Sequence, residues 1–432
     1  MYAFLTIFVI IPMLVLTALS IKQAITQGQS PQQKSATPSP ATKGQPTQSP
    51  SASFATSDII IQKSVASTSH FLPGASFIQN DTHLDDPSEI KQMSEGLGYL
   101  NVFIYGWGTD DPEPEPGQYD WSTLDQRINI MRQTNATKII SLCCAPDWMK
   151  PDSNIETAPT PDHYQDFANL AKQVAQRYPD VKYFQVWNEL KGFSENEQGY
   201  MDMYNLVYKA VKAVRPDAIV GGPYIGVGPD VFQQPHNVIE QWLANKAGGE
   251  IIVVDGGYDS TSAQEDFENA RFYSDFGKWL RSRPGGDKLP FGWAEWYPGT
   301  VQAWDDADHF NATMTNAMIQ TLQGGASYAL MWGVEGRVSG AYLEGDGQQE
   351  GLIDQNGPTP WYASVKALKD FFGPGTQILQ VTQKTKDVTV LASKNKTMLV
   401  NHLSTSLTLV INGQQTSLHP YEVKLIDTPP LS

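Results

Sequence analysis

The chain has 432 residues, of which 40% are hydrophobic and 11% aromatic, so it can bury a large core and is long enough for more than one domain. Its 46 acidic and 30 basic residues give a formal charge of −16. Because no basic tract is present that could neutralise phosphates, the sequence argues against a nucleic-acid partner. It contains no zinc-ligand spacing, and we predict no metal, no cofactor and a monomer.

The N-terminal residues predict export. Residues 3–21 are almost wholly apolar, about the length that spans a bilayer, and we interpret residues 1–26 as a signal peptide or membrane anchor. Residues 27–56 are rich in Ser, Pro, Thr and Gln and predict a disordered tether. We therefore expect an extracellular protein, membrane-anchored or secreted, that meets the membrane only through its N-terminal segment.

The only two cysteines, Cys143 and Cys144, are adjacent, so they cannot join distant segments of the chain. We interpret them as two small buried residues at a strand end. A vicinal disulfide between them is the alternative.

Between residues 57 and 372, short apolar runs alternate with amphipathic helical patterns. Apolar residues three and four apart mark the helices, as in "DHYQDFANLAKQVAQRY". Eight strand–helix units over about 300 residues predict an α/β fold, a (β/α)8 TIM barrel. We favour it over a doubly wound open sheet because no Gly-rich phosphate loop follows the first strand. The strand candidates end at Ile78, Trp107, Cys144, Glu189, Ile225, Gly257, Trp296 and Gly333.

Residues 373–432 predict a second, smaller domain. This segment contains short alternating strands separated by turn residues such as Asn412 and Gly413. We expect a small antiparallel, β-sandwich-like domain that packs on the barrel and supports it.

Two glutamates stand where a barrel enzyme places its catalytic groups. Glu189 ends the predicted fourth strand in "YFQVWNE", and Glu295 ends the seventh in "FGWAEW". Barrel enzymes carry their chemistry at the carboxyl ends of the strands, and strands four and seven lie on opposite sides of the barrel. Two carboxyls that face each other across a cleft can break a glycosidic bond, one as proton donor and the other as nucleophile or base.

Several tryptophans lie near the same strand ends, where they could stack on sugar rings. We take Trp148, Trp296 and Trp332 as candidate substrate-binding residues; Trp187 and Trp293 lie nearby. The alternative is that these side chains fill the core of a large barrel.

These motifs resemble those of the clan A glycoside hydrolases, which are retaining barrel enzymes. The "VWNE" motif at a fourth strand and an aromatic-flanked glutamate at a seventh are similar to that clan. Within it, "PGQYDWSTLDQRINIMRQTNATKIISLCCAPDWM" and "GLIDQNGPTPWYASVKAL" are similar to glycoside hydrolase family 39. The resemblance extends from Phe71 to Phe372.

The resemblance implies roles for individual residues. Glu189 would be the general acid and base, Glu295 the nucleophile, and Asn188 would bind the hydroxyl beside the anomeric carbon. Tyr258 would orient and stabilise the nucleophile. Trp332 would form the aromatic floor of the subsite where the bond is cut.

The sequence departs from the family pattern at two positions. Many members carry an arginine on the second strand near the nucleophile, and "LNVFIYGW" has none. The sixth strand often has a histidine two residues before its tyrosine; here that position is Gly256, preceded by Asp255. Without cationic help, the pKa of Glu295 would rise.

We therefore predict a retaining glycoside hydrolase that acts on an extracellular or cell-envelope polysaccharide. The alternative is a catalytically inactive barrel that binds glycan at the cell surface; the pair of Glu189 and Glu295 favours the enzyme, and the missing arginine leaves the alternative open. A transglycosylase, which shares the covalent step, is a third hypothesis.

Overall fold

The computed structural model describes residues 57–79, 81–234, 237–299, 306–335, 351–354 and 356–431. The predicted signal peptide or anchor and the predicted tether lie outside these ranges. Within them, every helix is too short or too polar to cross a membrane.

The described residues form seventeen strands and nine α-helices. The strands are β1 (Ser57–Thr68), β2 (Leu72–Ser76), β3 (Tyr99–Phe103), β4 (Thr137–Leu142), β5 (Tyr183–Val186), β6 (Ile219–Val227), β7 (Ile251–Gly257), β8 (Phe291–Tyr297), β9 (Tyr328–Trp332), β10 (Ile353–Asp354), β11 (Gly357–Pro358), β12 (Gln377–Gln383), β13 (Val388–Ala392), β14 (Lys396–Asn401), β15 (Leu407–Ile411), β16 (Gln414–Leu418) and β17 (Val423–Asp427). The helices are α1 (Pro87–Gly96), α2 (Ser122–Arg132), α3 (Tyr164–Arg177), α4 (Glu197–Val214), α5 (Val238–Asn245), α6 (Ala263–Asn269), α7 (Arg271–Arg281), α8 (Ala307–Gln323) and α9 (Pro360–Phe372).

The predicted eight-stranded parallel barrel is confirmed. Strands β2 to β9 pair in chain order, and β9 pairs with β2, which closes the barrel. At least one helix follows each of these strands and buries its apolar face against the outside of the barrel, as Phe167, Leu170 and Val174 of α3 do. Each of the eight predicted strands overlaps one strand of the barrel; those predicted to end at Ile225 and Trp296 stop two residues and one residue short.

Alternation along the strands decides which side chains enter the barrel. In β7, Ile251 and Val253 belong to the apolar interior, whereas Ile252 and Val254 belong to the core beneath the helices. The same alternation directs the next residue, Asp255, inward. The apolar interior of the barrel therefore ends in a carboxyl group at its carboxyl-terminal mouth.

A chain of hydrogen bonds crosses the barrel interior between five strands. Asn101 Nδ2 donates to Ser76 Oγ over 2.9 Å, and Ser141 Oγ donates to Asn101 Oδ1 over 3.0 Å. Gln185 Nε2 donates to Ser141 Oγ over 3.2 Å, and Tyr328 Oη donates to Gln185 Oε1 over 3.1 Å. Because these buried polar groups are all partnered, they hold the strands in one register without a desolvation cost.

The C-terminal β-domain is also confirmed, with one correction to its boundary. Its strands form a four-stranded sheet, β12-β1-β15-β16, and a three-stranded sheet, β13-β14-β17. Residues of both sheets, such as Leu409 and Leu399, share one core. Residues 57–68, which we had placed in the barrel segment, form β1 at the centre of the larger sheet, antiparallel to β12 and parallel to β15. The first barrel strand starts at Leu72.

The adjacent cysteines lie directly after β4 at the mouth of the barrel. Both are buried, as predicted. They are joined by a vicinal disulfide, so the alternative interpretation describes their bonding correctly.

Candidate active site

Glu189 lies three residues beyond the end of β5, at the rim of the barrel. The backbone takes positive φ values at Trp187 (77°), Glu189 (46°) and Leu190 (55°), which are costly for residues other than glycine and cluster at functional sites. The Glu189 carboxylate accepts an ion-pair hydrogen bond from Lys191 Nζ over 2.7 Å. Its side chain is 26% exposed, so it is open to a molecule that enters the mouth.

Glu295 lies inside β8 and is 4% exposed. The register against β7 shifts by one residue between Trp293 and Glu295, which is a β-bulge. Tyr224 Oη donates to Glu295 Oε1 over 2.8 Å, and Tyr297 Oη donates to Oε2 over 2.5 Å. Two hydroxyl donors on one carboxylate favour its ionised form.

The two glutamates meet a third carboxyl group. One carboxylate oxygen from each of Glu189, Asp255 and Glu295 lies within 4.8 Å of the others. Asp255 is fully buried, and neither of its oxygens has a hydrogen-bond partner among the described residues. Such a group of carboxylates could also hold a cation, a use that would compete with acid–base work by the same oxygens.

The pKa of Glu295 is raised to about 7. Burial is the largest cause and the negative charge of Glu189 adds to it, while the hydroxyls of Tyr297 and Tyr224 and the ammonium of Lys191 oppose the rise. Burial lowers the pKa of Lys191, but its hydrogen bonds to Glu156 and Glu189 outweigh this, and the net shift is upward. Lys191 is therefore a permanent cation at the rim of the site.

Aromatic and amide side chains surround the carboxyls. Asn188 is 2% exposed, and its Oδ1 has no partner within the described part of the chain. Trp332 ends β9 and packs edge-on against Trp107, with 5.8 Å between ring centroids. Lys191 Nζ lies 6.0 Å from the centroid of the Trp107 ring. These groups bring an apolar wall, an amide and a cation to the same mouth as Glu189.

Two of the predicted site residues lie elsewhere, and those predictions were wrong. Tyr258 Oη donates to the carbonyl of Asp266 over 2.9 Å, and both hydroxyl donors to Glu295 are other tyrosines. Trp296 is completely buried on the outer face of β8, where its Nε1 donates to Thr321 Oγ1 over 3.0 Å. The β-bulge turns Glu295 inward and leaves Trp296 against the helices.

Trp148 lies at the carboxyl end of the barrel, in the connection between β4 and α3. It is half-buried, donates its Nε1 to the carbonyl of Glu113 over 2.8 Å and packs edge-on against His163. One part of the ring therefore supports the neighbouring loop, and the remainder faces solvent.

Four residues of the site were absent from the predicted set: Tyr224, Tyr297, Lys191 and Asp255. Tyr297 and Lys191 each come two residues after a predicted catalytic glutamate, and in a strand that spacing places Tyr297 on the same face as Glu295. Tyr224 and Asp255 lie near the carboxyl ends of the fifth and sixth barrel strands, so an inspection of every strand end could have found them.

The second departure from the family pattern has a steric cause. Gly256, which stands where family members have histidine, has a φ of +117°, and a Cβ at this position would overlap the carbonyl of Val227. No side chain fits there without a shift of the backbone. The imidazole of the family pattern is thus replaced by a carboxyl one residue earlier, that of Asp255.

A second group of potential metal ligands lies after β9. His83, Glu89 and Glu335 bring one ligand atom each within 4.8 Å. The Glu335 carboxylate already accepts backbone N–H groups from Thr82 and His83 over 2.9 and 2.5 Å. Its oxygens are thus engaged in joining two loops.

No protein-family model matches the chain, and no curated protein matches it in sequence. The fold is an eight-stranded parallel barrel that carries Glu189 after its fourth strand and Glu295 in its seventh. Solved structures of glycoside hydrolase families 39 and 30 share this fold, which confirms the predicted resemblance at that level.

Three of these structures illustrate the likeness. A monomeric β-xylosidase from Caulobacter crescentus CB15 is 15% identical, with a TM-score of 0.57 over 87% of this chain and 96% of that one. The endo-β1,6-glucanase BT3312 is 14% identical, with a TM-score of 0.60 over 87% and 95%. A family 39 glycoside hydrolase from the gut symbiont Bacteroides cellulosilyticus WH2 is 14% identical, with a TM-score of 0.60 over 82% and 78%.

Proposed function

We propose that the protein is a retaining glycoside hydrolase that acts on an extracellular or cell-envelope polysaccharide. The observation that carries this proposal is the approach of Glu189 and Glu295, whose nearest carboxylate oxygens lie within 4.8 Å. Retaining enzymes place their two carboxyls about 5–5.5 Å apart, whereas inverting enzymes need about 6.5–9.5 Å to admit a water molecule. The spacing favours a direct attack by one carboxylate on the sugar.

The environments of the two glutamates support different roles. Glu295 is buried and receives two hydroxyl hydrogen bonds, which suits a carboxylate that must attack the anomeric carbon. Glu189 is partly exposed at the rim, where a leaving oxygen departs, which suits the residue that protonates it. In the second step Glu189 accepts a proton from water, and the water oxygen replaces Glu295 on the anomeric carbon.

Asn188 and Trp332 complete the subsite in this proposal. The unpartnered Oδ1 of Asn188 can accept the hydroxyl beside the anomeric carbon. The Trp332 ring, 7% exposed, offers a small apolar floor on which the sugar can stack. The β-xylosidase and the endo-β1,6-glucanase, which share this fold, also act on glycans, as their names state.

The location of the substrate follows from the N-terminal sequence. The apolar segment at residues 3–21 and the Ser- and Pro-rich segment after it support an extracellular protein, anchored or secreted. For an extracellular protein, the accessible substrate is a polysaccharide outside the cell or in its envelope.

A glycan screen tests this function. The purified full-length protein is incubated with a panel of β-linked polysaccharides and exopolysaccharides, and new reducing ends are measured. We expect cleavage of one class of glycan by the parent and none by Glu295→Gln. Glu268→Gln, which makes the same change at an exposed position on α6, is the matched control and is expected to cleave as the parent does.

Covalent trapping tests the retaining mechanism. A 2-deoxy-2-fluoro glycoside of the sugar found in the screen should label the peptide that carries Glu295, because the fluorine slows release of the glycosyl-enzyme. A label on another carboxyl would show that the nucleophile is misassigned.

The alternative function is glycan binding without catalysis, which the absence of an arginine from "LNVFIYGW" on the second barrel strand leaves open. It predicts that the parent and Glu295→Gln bind one glycan equally and that neither releases reducing ends.

A further inference from the structure

Asp255 is a buried carboxyl that the proposed mechanism does not use. It is fully buried at the inward-facing end of β7 and pairs in register with Glu295 on β8. Its two oxygens lack any hydrogen-bond donor in the described chain. A buried carboxylate without a donor is among the most costly groups in a protein interior.

The titratable groups that face Asp255 come from four neighbouring segments. Glu295 and Tyr297 of β8 lie beside it, and Glu189 and Lys191 approach from the loop after β5. Tyr224 of β6 and Tyr273 of α7 complete the set. Among these described neighbours, Lys191 is the one permanent cation, and it also binds Glu156.

The distribution of donors decides which carboxyl takes up a proton. Glu295 receives two hydroxyl hydrogen bonds, and Glu189 receives the ammonium of Lys191. Asp255 receives none, and it lies within 4.8 Å of both glutamates. Three charges at this spacing repel strongly in a buried site, and the anion with the least stabilisation is Asp255. Burial, followed by the charges of Glu295 and Glu189, raises the pKa of Asp255.

We propose that Asp255 is a positioning residue of the catalytic centre that remains protonated, and that as a neutral group it keeps Glu295 ionised where Lys191, the one cation among the described neighbours, pairs with Glu189. The catalytic part of this inference rests on the proposed function; the protonation state of Asp255 does not. Glu189, Asp255 and Glu295 form a carboxyl cluster. Its proton resides on Asp255, the one member that contacts neither solvent nor a hydrogen-bond donor among the described residues. Glu295 is then free to act as the nucleophile.

The proposal has a consequence for the pH range of activity. When Asp255 loses its proton, a new negative charge appears beside Glu295 and Glu189 and repels both carboxyl groups, so activity falls. Asparagine has the shape of the neutral acid and cannot ionise. Asp255→Asn should therefore move the alkaline limit of activity to higher pH.

The first test needs no substrate. For a carboxyl whose pKa is higher in the folded than in the unfolded state, the folded protein holds more protons between the two pKa values, so stability falls as pH rises through that window. The melting temperature of full-length Asp255→Asn should exceed that of the parent, and the difference should grow from pH 5 to pH 8. An infrared difference spectrum between the two proteins at pH 7 should show the C=O band of a protonated carboxyl in the parent only.

The second test measures kcat/KM against pH on the glycan found in the screen. Asp266→Asn is the matched control, because Asp266 is also buried with both oxygens unpartnered but lies outside the carboxyl cluster. We expect Asp255→Asn to move the alkaline limb upward and Asp266→Asn to leave it in place.

Each outcome decides one part of the proposal. An unchanged dependence of melting temperature on pH together with no protonated carboxyl band would show that Asp255 is ionised, which overturns the proposal. Loss of activity by Asp255→Asn at every pH would show that the site needs a carboxylate there, which also overturns it. If the parent cleaves no glycan, the proposed function fails, and the stability and infrared data alone decide whether Asp255 is neutral.

Discussion

Replacing Tyr224 by phenylalanine tests how the site keeps Glu295 ionised. The Tyr224 hydroxyl donates to Glu295 Oε1 over 2.8 Å, and both side chains are buried. A hydrogen bond to a charged group contributes about 1.5–3 kcal/mol, and one pKa unit corresponds to about 1.4 kcal/mol. Loss of the hydroxyl should therefore raise the pKa of Glu295 by about 1–2 units above its value of about 7, which burial already elevates.

The direction of the pH effect follows from the role of the residue. A nucleophile must be ionised, so the acidic limb of kcat/KM should move to higher pH by about the same 1–2 units. At a pH below this limb the variant should be roughly 10- to 100-fold slower than the parent, and the deficit should shrink as the pH rises. Initial rates of reducing-end release between pH 4 and pH 9 measure both effects.

Tyr258→Phe is the matched control, since it removes a buried tyrosine hydroxyl that donates to the Asp266 carbonyl. Its acidic limb should coincide with that of the parent. If Tyr258→Phe shifts the limb and Tyr224→Phe does not, the assignment of donors to Glu295 is wrong.

Three further variants probe the aromatic wall, the rim cation and the β-domain. Trp332→Ala should raise KM about 5- to 10-fold through lost stacking, whereas Trp296→Ala, which empties a fully buried position, should leave KM near that of the parent and cost about 3–5 kcal/mol of stability in denaturant unfolding. The reverse pattern would place Trp296 in the subsite. Lys191→Met should lower kcat/KM by no more than about 10-fold, because the partly exposed pair with Glu189 is screened by solvent, and a loss that disappears at high salt would show that its action is purely electrostatic. Deletion of residues 57–68 should lower the melting temperature because β1 is an interior strand of its sheet; an unchanged value would contradict that pairing.

Sequence patterns predicted the barrel because each of its strands and helices is encoded by residues that are neighbours in the sequence. Each strand is a short apolar run between helical periods, and each of the two glutamates proposed as catalytic stands at the end of such a run, so Glu189 and Glu295 could be placed by counting strands. The pairing of β1 with β12 and β15 joins segments more than 300 residues apart, and no local pattern encodes it.

The details of the site depend on features smaller than a strand. A single extra residue in β8, between Trp293 and Glu295, turns Glu295 inward and Trp296 outward, and alternation alone does not predict where a bulge occurs. Tyr224 and Tyr258 each lie near the end of a barrel strand. The direction that the chain takes there decides which tyrosine hydroxyl reaches Glu295, and the sequence does not give that direction. The vicinal disulfide depends on oxidation, which sequence spacing does not report.

The central place of β1 in its sheet has a consequence for how the protein is made. This strand is synthesised before the whole barrel, yet its partners β12 and β15 come after it. At about 5–20 residues per second, β1 waits roughly 15–70 s with Ile59 and Ile61 uncovered until the last strands emerge. The β-domain therefore cannot fold as the ribosome proceeds, and its assembly joins the first and last parts of the folded body after the barrel is complete. Chaperone dependence during synthesis should consequently fall if a circular permutation places β1 next to β12.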